Sequence, residues 1–276
     1  MTYWSAVLLG ALQGATEFLP VSSSGHLAIL QNFLRIGSME EHMLFDVLLH
    51  LGTLAAVILA YREEVGRLWR EGLCMIGARK LPRGKKPDRL ARRTILLLIL
   101  STLPLVLAVF FQKAVKSLYS NTFFIGFALI ATGFLLFASD RLGHGNKTEK
   151  NVAVSDALLV GLAQAAAVTP GLSRSGTTIS VSMLRGFERS FAVKYAFLLS
   201  IPAILGANLV ALIDAVGAGI SWELLPVYLV GVVSAFLVGY VSIRLLRIIV
   251  QRGKFGGFAF YCWGAGLVTL LLSLIS

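Results

Sequence analysis

The sequence predicts an all-α polytopic membrane protein with six transmembrane helices plus two re-entrant helical hairpins, arranged as an inverted-topology repeat. Hydrophobic residues make up 57% of the 276 residues and charged residues only 14%, whereas soluble proteins contain about 25% charged residues. The apolar residues form long continuous runs, and two polar segments interrupt these runs at related positions. The composition therefore excludes a soluble globular protein, and the interruptions indicate where its chemistry lies.

Six stretches are long and apolar enough to span a membrane, for which a helix needs about 20 residues. They lie at roughly 43–61, 93–112, 122–139, 191–214, 225–248 and 255–276. Cytoplasmic loops collect Lys and Arg, and residues 62–93 alone contain eleven of them. Three further basic loops are predicted to share this side: 141–150, 185–194 and 244–254. This placement accounts for the net charge of +11 without a nucleic-acid partner, although such loops are also drawn to anionic lipids.

Two short polar stretches look like copies of one device. We define the first polar segment as residues 13–26 and the second polar segment as residues 164–178. Each contains a Gln, a Pro, a serine cluster and a Gly in the same order. The equivalent residues Gln13 and Gln164 are 151 positions apart. Ionisable groups at membrane depth are costly and point to function, so the charged residues of these segments are the first candidates for a site.

The similarity extends beyond the polar segments. Residues 48–53 match residues 198–203 at an offset of 150, although two leucine-rich stretches can also match by chance. An inverted repeat within a single integral membrane domain, 1–276, is the simplest explanation, with repeat 1 at about 1–139 and repeat 2 at about 155–276. Such repeats typically place a site near the membrane midplane, where broken helices meet.

The basic loops also set the direction of each crossing. Helix 43–61 must run inward, so residues 1–42 begin and end outside. This segment is too polar for two full spans and is predicted to form two half-helices, 3–20 and 25–35, that enter from the outer face. Cytoplasmic loops flank residues 156–184 on both sides, so this segment is predicted to enter and leave from the inner face. The two hairpins therefore have opposite orientations.

The tips of the two hairpins carry the groups expected to bind an anion. The chain turns at Pro20 and at Pro170 and then restarts as a helix. Serines lie at the predicted N-cap positions after both prolines: Ser22, Ser23, Ser24, Ser173 and Ser175. Free N–H groups and the helix dipole make a helix N-terminus an anion site, and Arg174 suits bidentate recognition of phosphate or carboxylate. Simple helix capping is the alternative for the serines.

The first polar segment adds groups for covalent chemistry. Gln13 and Glu17 are four residues apart and lie on one helical face, and His26 follows one turn into the next half-helix. A carboxylate, an imidazole and a hydroxyl at an anion site are the components of nucleophilic phosphoryl or acyl transfer. Ser23 is the expected nucleophile, activated by Glu17 or His26. A structural role is the alternative for His26.

Asp46 and His50 form a second polar pair, four residues apart on the inward helix. They could handle a proton together. A packing role, in which each satisfies the other or a hairpin backbone group, is the favoured interpretation.

Three motifs carry a family resemblance: Gln13-x-x-x-Glu17, Pro20-Val-Ser-Ser-Ser-Gly-His26 and Pro170-Gly-x-Ser-Arg-Ser-Gly-x-Thr178. They resemble the undecaprenyl pyrophosphate phosphatase family of bacteria, which is associated with bacitracin resistance. The resemblance covers essentially the whole chain and implies a similar inverted-repeat fold. It also implies removal of the terminal phosphate from a C55 isoprenoid diphosphate, usually with a divalent cation such as Mg or Ca.

The resemblance assigns roles by motif position. The expected catalytic residues are Glu17, Ser23, His26 and Arg174. The expected substrate-binding residues are Gln13, Ser22, Ser24, Ser173, Ser175 and Thr178. Many members have Glu where this chain has Gln13, which weakens a site with two carboxylates on the metal and leaves Glu17 as the expected metal ligand.

These roles imply a mechanism in which Ser23 attacks the terminal phosphorus while Arg174 and the hairpin N–H groups stabilise the equatorial oxygens. His26 is then a general acid or base, or the nucleophile itself. The expected location is the bacterial inner membrane, with a site that opens to the outer, periplasmic side. The expected partners are the lipid substrate and membrane lipids, with a homodimer among the assemblies considered. A transporter or flippase for an anionic lipid or small anion is the rival, because inverted repeats with broken helices are typical of transporters.

Overall fold

The computed structural model of the chain describes residues 1–27, 39–80, 86–111, 115, 117–119, 121–218 and 222–275. Most of this part is helical, and the α-helices are α1 (Tyr3–Phe18), α2 (described residues 23–27), α3 (Met39–Ala60), α4 (Arg62–Met75), α5 (Arg89–Thr102), α6 (Pro104–Phe110), α7 (Thr122–Leu142), α8 (Val154–Ala166), α9 (Arg174–Leu184), α10 (Arg189–Ala218), α11 (Leu225–Gln251) and α12 (Gly257–Ile275). The one β-bridge among the described residues is isolated and joins Lys147 to Phe187. The predicted all-α class is confirmed.

Five helical stretches are long and apolar enough to cross a membrane: Arg89–Ala108, Thr122–Leu142, Arg189–Ile213, Leu225–Gln251 and Gly257–Leu274. Leu44–Ala60 and Arg62–Met75 pass the same test only together, and they are bent by 91° at the break between them. Up to six spans follow if this bent pair is one of them. Each of the six predicted stretches lies on one of these helices, so a multi-pass membrane protein is confirmed.

The segments predicted to form the two hairpins can be compared with the observed helices. The outer half-helix predicted at 3–20 corresponds to α1, which ends two residues earlier. The half-helix predicted at 25–35 begins within α2, but its residues 28–35 lie outside the described residues. The second predicted segment, 156–184, corresponds to α8 and α9 with the turn between them.

Close helix contacts hold the polar segments against the long helices. α1 packs against α11, where a Cβ on Gly10 would lie only 2.2 Å from the backbone oxygen of Gly231. α8 packs against α5 in the same manner, and a Cβ on Gly161 would lie 2.5 Å from the backbone oxygen of Ser101. Small residues let backbones approach closely in membrane proteins. Both contacts therefore depend on glycine.

The basic loops lie together at one end of the helical bundle. Asp156 at the start of α8 is fully buried and accepts from Lys147 at 2.7 Å and from Arg185 at 2.9 Å. Arg67 of α4 contacts Glu149 at 2.8 Å. Ion pairs therefore join three of the four loops predicted to be cytoplasmic, 62–93, 141–150 and 185–194, as expected if they share one side of the membrane.

The environment of Asp156 has opposing effects on its ionisation. Burial raises the pKa of this carboxyl, but the hydrogen bonds from Lys147, the Ala153 N–H and Arg185 lower it more, so the pKa of Asp156 lies below its usual value. A buried carboxylate with these partners stabilises the chain while it is ionised. Asp156 therefore holds three backbone elements at the basic end of the bundle.

Candidate active site

The turns of the two polar segments are capped in the same way. The Ser22 hydroxyl accepts from the Gly25 N–H at 3.3 Å, at the start of α2. The Ser173 hydroxyl accepts from the Gly176 N–H at 3.1 Å, at the start of α9. In both helices a serine at the N-cap thus satisfies the third N–H, as N-caps commonly do. The serine clusters do cap helices, but only one serine of each cluster does so.

The two turns touch each other through equivalent residues. A Cβ on Gly25 would lie 3.3 Å from the Cα of Gly171, and a Cβ on Gly176 would lie 3.1 Å from the Cβ of Pro20. Gly25 and Gly176 are 151 residues apart, and so are Pro20 and Gly171. The two contacts therefore exchange when the two segments are exchanged. The start of α2 and the start of α9 lie side by side as a result.

Glu17 is the centre at which the two segments meet. The hydroxyl of Ser23, the first residue of α2, donates to Glu17 Oε2 at 2.7 Å. The guanidinium of Arg174, the first residue of α9, donates through Nη2 to Glu17 Oε1. The Glu17 side chain is only 4% exposed, so its charge needs such partners. A buried carboxylate thus contacts both a hydroxyl and a cation.

Two further side chains complete this cluster. Gln13 is fully buried and donates through Nε2 to Glu17 Oε2 at 3.0 Å, while its Oε1 has no hydrogen-bond partner among the described residues. His50 points Nε2 at Glu17 Oε2 from 3.8 Å, and its Nδ1 lies 2.7 Å from the Asp46 carbonyl oxygen. The favoured packing role for His50 is therefore too narrow, because its ring faces the carboxylate of the site.

His26 lies next to the cluster but is bonded elsewhere. Its Nδ1 lies 2.8 Å from the Ser22 carbonyl oxygen, which only accepts, so Nδ1 carries a proton. Its Nε2 lies 2.7 Å from the Tyr261 hydroxyl of α12, and the two rings stack with centroids 5.7 Å apart. A neutral His26 therefore accepts from Tyr261. Neither ring nitrogen contacts Ser23 or Glu17 in this arrangement.

The other predicted binding residues lie around the two turns. Ser24 is hydrogen-bonded to Tyr119. Ser175 lies 3.3 Å from the Ser173 hydroxyl. Thr178 is buried, and its hydroxyl donates to the Arg174 carbonyl oxygen of its own helix at 2.9 Å. The Thr178 hydroxyl is thus engaged by backbone one turn away from the cluster at Glu17.

Sequence reasoning favoured a packing role for His50 and missed two other side chains of this region, Tyr261 and Tyr119. His50 had a signal, since a polar residue in an apolar helix is a candidate for function. Tyr261 and Tyr119 had none, because a tyrosine near the end of a membrane helix is common. Their proximity to His26 and Ser24 depends on contacts between distant parts of the chain.

A family model described as bacitracin resistance protein BacA matches residues 6–268. The chain belongs to the BacA family. The matched range contains every residue placed around Glu17, from Gln13 in α1 to Tyr261 in α12. The expected family resemblance is confirmed over nearly the whole chain.

Curated relatives of this chain carry the name Undecaprenyl-diphosphatase. One from Alkaliphilus metalliredigens is 40% identical and covers 100% of both chains. One from Syntrophotalea carbinolica is 43% identical over 96% of this chain and 97% of its own length. One from Treponema denticola is 41% identical over 97% of this chain and 96% of its own length. These relatives therefore match essentially the full length of this chain.

Proposed function

We propose that this chain is a membrane phosphatase that hydrolyses the terminal phosphate of undecaprenyl diphosphate, giving the monophosphate for reuse as a lipid carrier in cell-wall synthesis. The observation that carries the proposal is the contact of Ser23 and Arg174 with the same buried carboxylate, Glu17. A nucleophile next to a base and a cation is the arrangement that phosphoryl transfer requires. The names of the BacA-family relatives support the same activity.

The Ser23 hydroxyl is the proposed nucleophile. Its proton passes to Glu17 Oε2, 2.7 Å away, as Ser23 Oγ forms a bond to the terminal phosphorus. The bond from this phosphorus to the bridging oxygen breaks, and that oxygen leaves on the lipid monophosphate. Water then attacks the phosphorus of the phosphoserine as the bond from phosphorus to Ser23 Oγ breaks, and one water proton passes to Ser23 Oγ. The proton that Glu17 took from Ser23 is released to solvent, so Glu17 is ionised again for the next turnover. Inorganic phosphate is released and the serine is restored.

The equatorial oxygens of the transferred group need donors that are already in place. Arg174 is the charged donor, and its side chain is 25% exposed, so it can reach a substrate from its contact with Glu17. The first N–H groups of α2 and α9 lie beside each other at the two touching turns and add the ends of two helix dipoles. Together these groups are proposed to hold the diphosphate.

His26 is proposed to position the first turn. Its Nδ1 donates to the Ser22 carbonyl oxygen, which fixes the residue that immediately precedes Ser23. Its Nε2 is held by Tyr261, so the ring is oriented from both sides. In this role His26 keeps the Ser23 hydroxyl aimed at Glu17, and it is the second candidate for the nucleophile.

A divalent cation, Mg or Ca, fits the residues that are present. Hard cations prefer oxygen ligands, and Mg usually combines one or two carboxylates with substrate phosphates. Glu17 supplies one carboxylate, and the buried Gln13 Oε1 supplies a neutral oxygen without another partner among the described residues. The described part of the chain contains no group of three or more acidic, His or Cys side chains suited to a metal. We therefore propose a cation held by Glu17 and Gln13 together with the substrate, where it would neutralise part of the diphosphate charge.

The two polar segments are proposed to lie at the tips of re-entrant hairpins. Each hairpin belongs to one half of an inverted repeat, and the two halves are about 1–139 and about 155–276. Helix contacts support this arrangement: α1 packs on α11 and α8 packs on α5, while α3 packs on α11 as α10 packs on α5. The basic end of the bundle is proposed to be cytoplasmic. The site then opens to the outer, periplasmic side of the bacterial inner membrane.

Cysteine labelling tests this topology. Cysteines at positions 38 and 221 should react from outside and a cysteine at position 84 from inside, and these three positions lie outside the described residues. The reverse pattern would overturn the proposed sidedness.

The rival, a transporter or flippase, is not favoured, because transport of an anion does not need the hydrogen bond between Ser23 and Glu17.

Phosphate release tests the activity directly. Purified protein in detergent is given a C55 isoprenyl diphosphate, and phosphate and the lipid monophosphate are measured over time. Equal amounts of both products are expected. Binding of the lipid without phosphate release would overturn the proposal. If activity survives a chelator, the proposed divalent cation is wrong but the phosphatase activity is not, because the contacts among Ser23, Glu17 and Arg174 do not depend on the metal.

A further inference from the structure

A groove between α4, α5 and α10 lies away from the residues around Glu17. Its volume is about 590 Å³, which is within the range of pockets that bind small ligands. Its lining is almost entirely apolar and includes Leu68, Trp69, Leu73, Ile95, Ile99 and Pro202. A concave apolar surface of this size is more than the flat lipid-facing side of a spanning helix.

The 91° bend between α3 and α4 fixes the position of this groove relative to the bilayer. If α3 crosses the membrane, α4 runs along its surface at the basic end of the bundle. Val65, Trp69 and Leu73 recur every four residues along α4 and line the groove, so the apolar face of α4 is turned toward the hydrocarbon. A helix of this kind lies in the membrane interface, and Trp69, at 67% exposed, is a residue typical of that depth.

The charges beside the groove select the occupant. Arg62, Gly66 and Arg70 are spaced by four residues and therefore share one flank of α4. Neither Arg62 nor Arg70 has an acidic partner among the described residues; Arg70 contacts only the Gly66 carbonyl oxygen of its own helix, at 3.0 Å. By contrast Arg67, three residues before Arg70, is paired with Glu64 and Glu149. Unpaired arginines at headgroup depth attract anionic lipid.

We propose that this groove is a binding site for an anionic phospholipid of the cytoplasmic leaflet, with an acyl chain in the groove and the headgroup phosphate at Arg62 and Arg70. The site joins an apolar cavity to two arginines that have no acidic partner among the described residues, which matches the two ends of such a lipid. The bound lipid would hold the amphipathic helix α4 against α5 and α10. This inference is independent of the proposed phosphatase activity, since no residue of the Glu17 cluster contributes.

The fluorescence of Trp69 reports on the site. Trp4, Trp222 and Trp263 are replaced by Phe, and the protein is placed in phosphatidylcholine nanodiscs with increasing fractions of lipid whose acyl chains are brominated. Brominated phosphatidylglycerol should quench Trp69 at a lower mole fraction than brominated phosphatidylcholine. The variant with Arg62→Gln and Arg70→Gln should reduce this preference by about fivefold for each arginine. Equal quenching by both lipids in the parent protein would overturn the proposal.

Two glycines of α4 provide a matched pair for the apolar part. A Cβ on Gly72, which lines the groove, would meet only the Cδ1 of Ile95 at 3.9 Å, and a Cβ on Gly66 would meet nothing within 4 Å. Gly72→Leu should fill the groove and remove saturable quenching, whereas Gly66→Leu should keep it. The same behaviour in both variants would overturn the groove as the chain site. Displacement of the brominated lipid by a long-chain isoprenyl monophosphate at a lower fraction than phosphatidylglycerol would also overturn it, in favour of the product lipid.

Discussion

In the first polar segment the Ser22 hydroxyl caps α2, and in the second polar segment the Ser173 hydroxyl caps α9, each by accepting from the glycine three residues later. The next residue differs completely: Ser23 follows the first cap and Arg174 follows the second. Both nevertheless reach Glu17, one at each carboxylate oxygen. One backbone arrangement, used twice, therefore supplies two different functional groups to the same carboxylate.

The acidic centre of the site has no counterpart in the second polar segment. The position 151 residues after Glu17 is Val168, and the position after His26 by the same offset is Thr177. Gln164, the counterpart of Gln13, is buried without a hydrogen-bond partner for either amide atom among the described residues. The first polar segment therefore carries the nucleophile and the carboxylate, and the second polar segment carries the guanidinium of Arg174.

Removal of the Ser23 hydroxyl, just after the first cap, should reduce turnover more than any other change. Ser23→Ala should lower turnover by roughly 10⁶-fold, as removal of a nucleophile does, while diphosphate binding survives because Arg174 and the helix N–H groups remain. Phosphate release and lipid binding are measured on the same preparation. Near-normal turnover would make His26 the leading nucleophile. Acid trapping with labelled substrate separates the two, because phosphoserine is stable in acid and phosphohistidine is not.

Glu17→Gln tests the centre that both segments share. Turnover should fall by about 10³-fold, because an amide cannot take the Ser23 proton. The variant also leaves Arg174 without its carboxylate, so its melting temperature is measured alongside activity. Full activity in a folded Glu17→Gln protein would exclude Glu17 as the base.

Arg174→Lys tests what the second segment contributes. An ammonium keeps the charge but loses the planar fork, so turnover should fall by about 10²-fold. Arg174→Ala should fall further. A Lys variant close to wild type would show that the second segment supplies charge alone.

Gln13→Ala and Gln164→Ala compare the matched amides directly. Gln13 donates a hydrogen bond to Glu17 at 3.0 Å, so Gln13→Ala should lower turnover about tenfold. This loss is smaller than that of Glu17→Gln, because the Gln13 amide orients Glu17 but does not act as a base. Gln164 has no such partner, so its replacement should leave turnover within about twofold, since no hydrogen bond is lost. Equal losses at both positions would contradict the division of roles between the segments.

The smallest expected effect concerns backbone strain at the caps. Ser22 has φ of 71°, the only positive φ of a non-glycine residue in the described chain, whereas Ser173 has φ of −78° and the second turn places its positive φ at Gly171. Glycine adopts positive φ without strain and is nearly as good an N-cap as serine. Ser22→Gly should therefore raise the unfolding free energy by about 1 kcal/mol, while Ser173→Gly should lower it by a few tenths. Thermal unfolding in detergent measures both, and a loss in Ser22→Gly equal to that in Ser173→Gly would exclude strain at the first cap.

Local patterns in the sequence predicted much of the fold and part of the site. Apolar runs predicted the stretches that form the long helices, because span length and hydrophobicity are properties of each stretch alone. The serines after each proline predicted helix starts, since capping involves residues three apart. The motif carrying Arg174 predicted its importance. The face shared by Gln13 and Glu17 followed from helical spacing, and their bond confirms it.

Which of these groups meet depends on how the helices pack. Arg174 contacts Glu17 across 157 residues of sequence, and His26 contacts Tyr261 across 235, distances over which no local pattern carries information. His50 faces Glu17 because α3 packs against α1. The bend after α3 places α4 beside α5 and α10, and the groove between these three helices could not be predicted from the amphipathic pattern of α4 alone. The helices and the chemical groups they carry can be predicted from local sequence, because these depend on neighbours along the chain. Packing determined the site, because a buried carboxylate is stable only where distant partners converge on it.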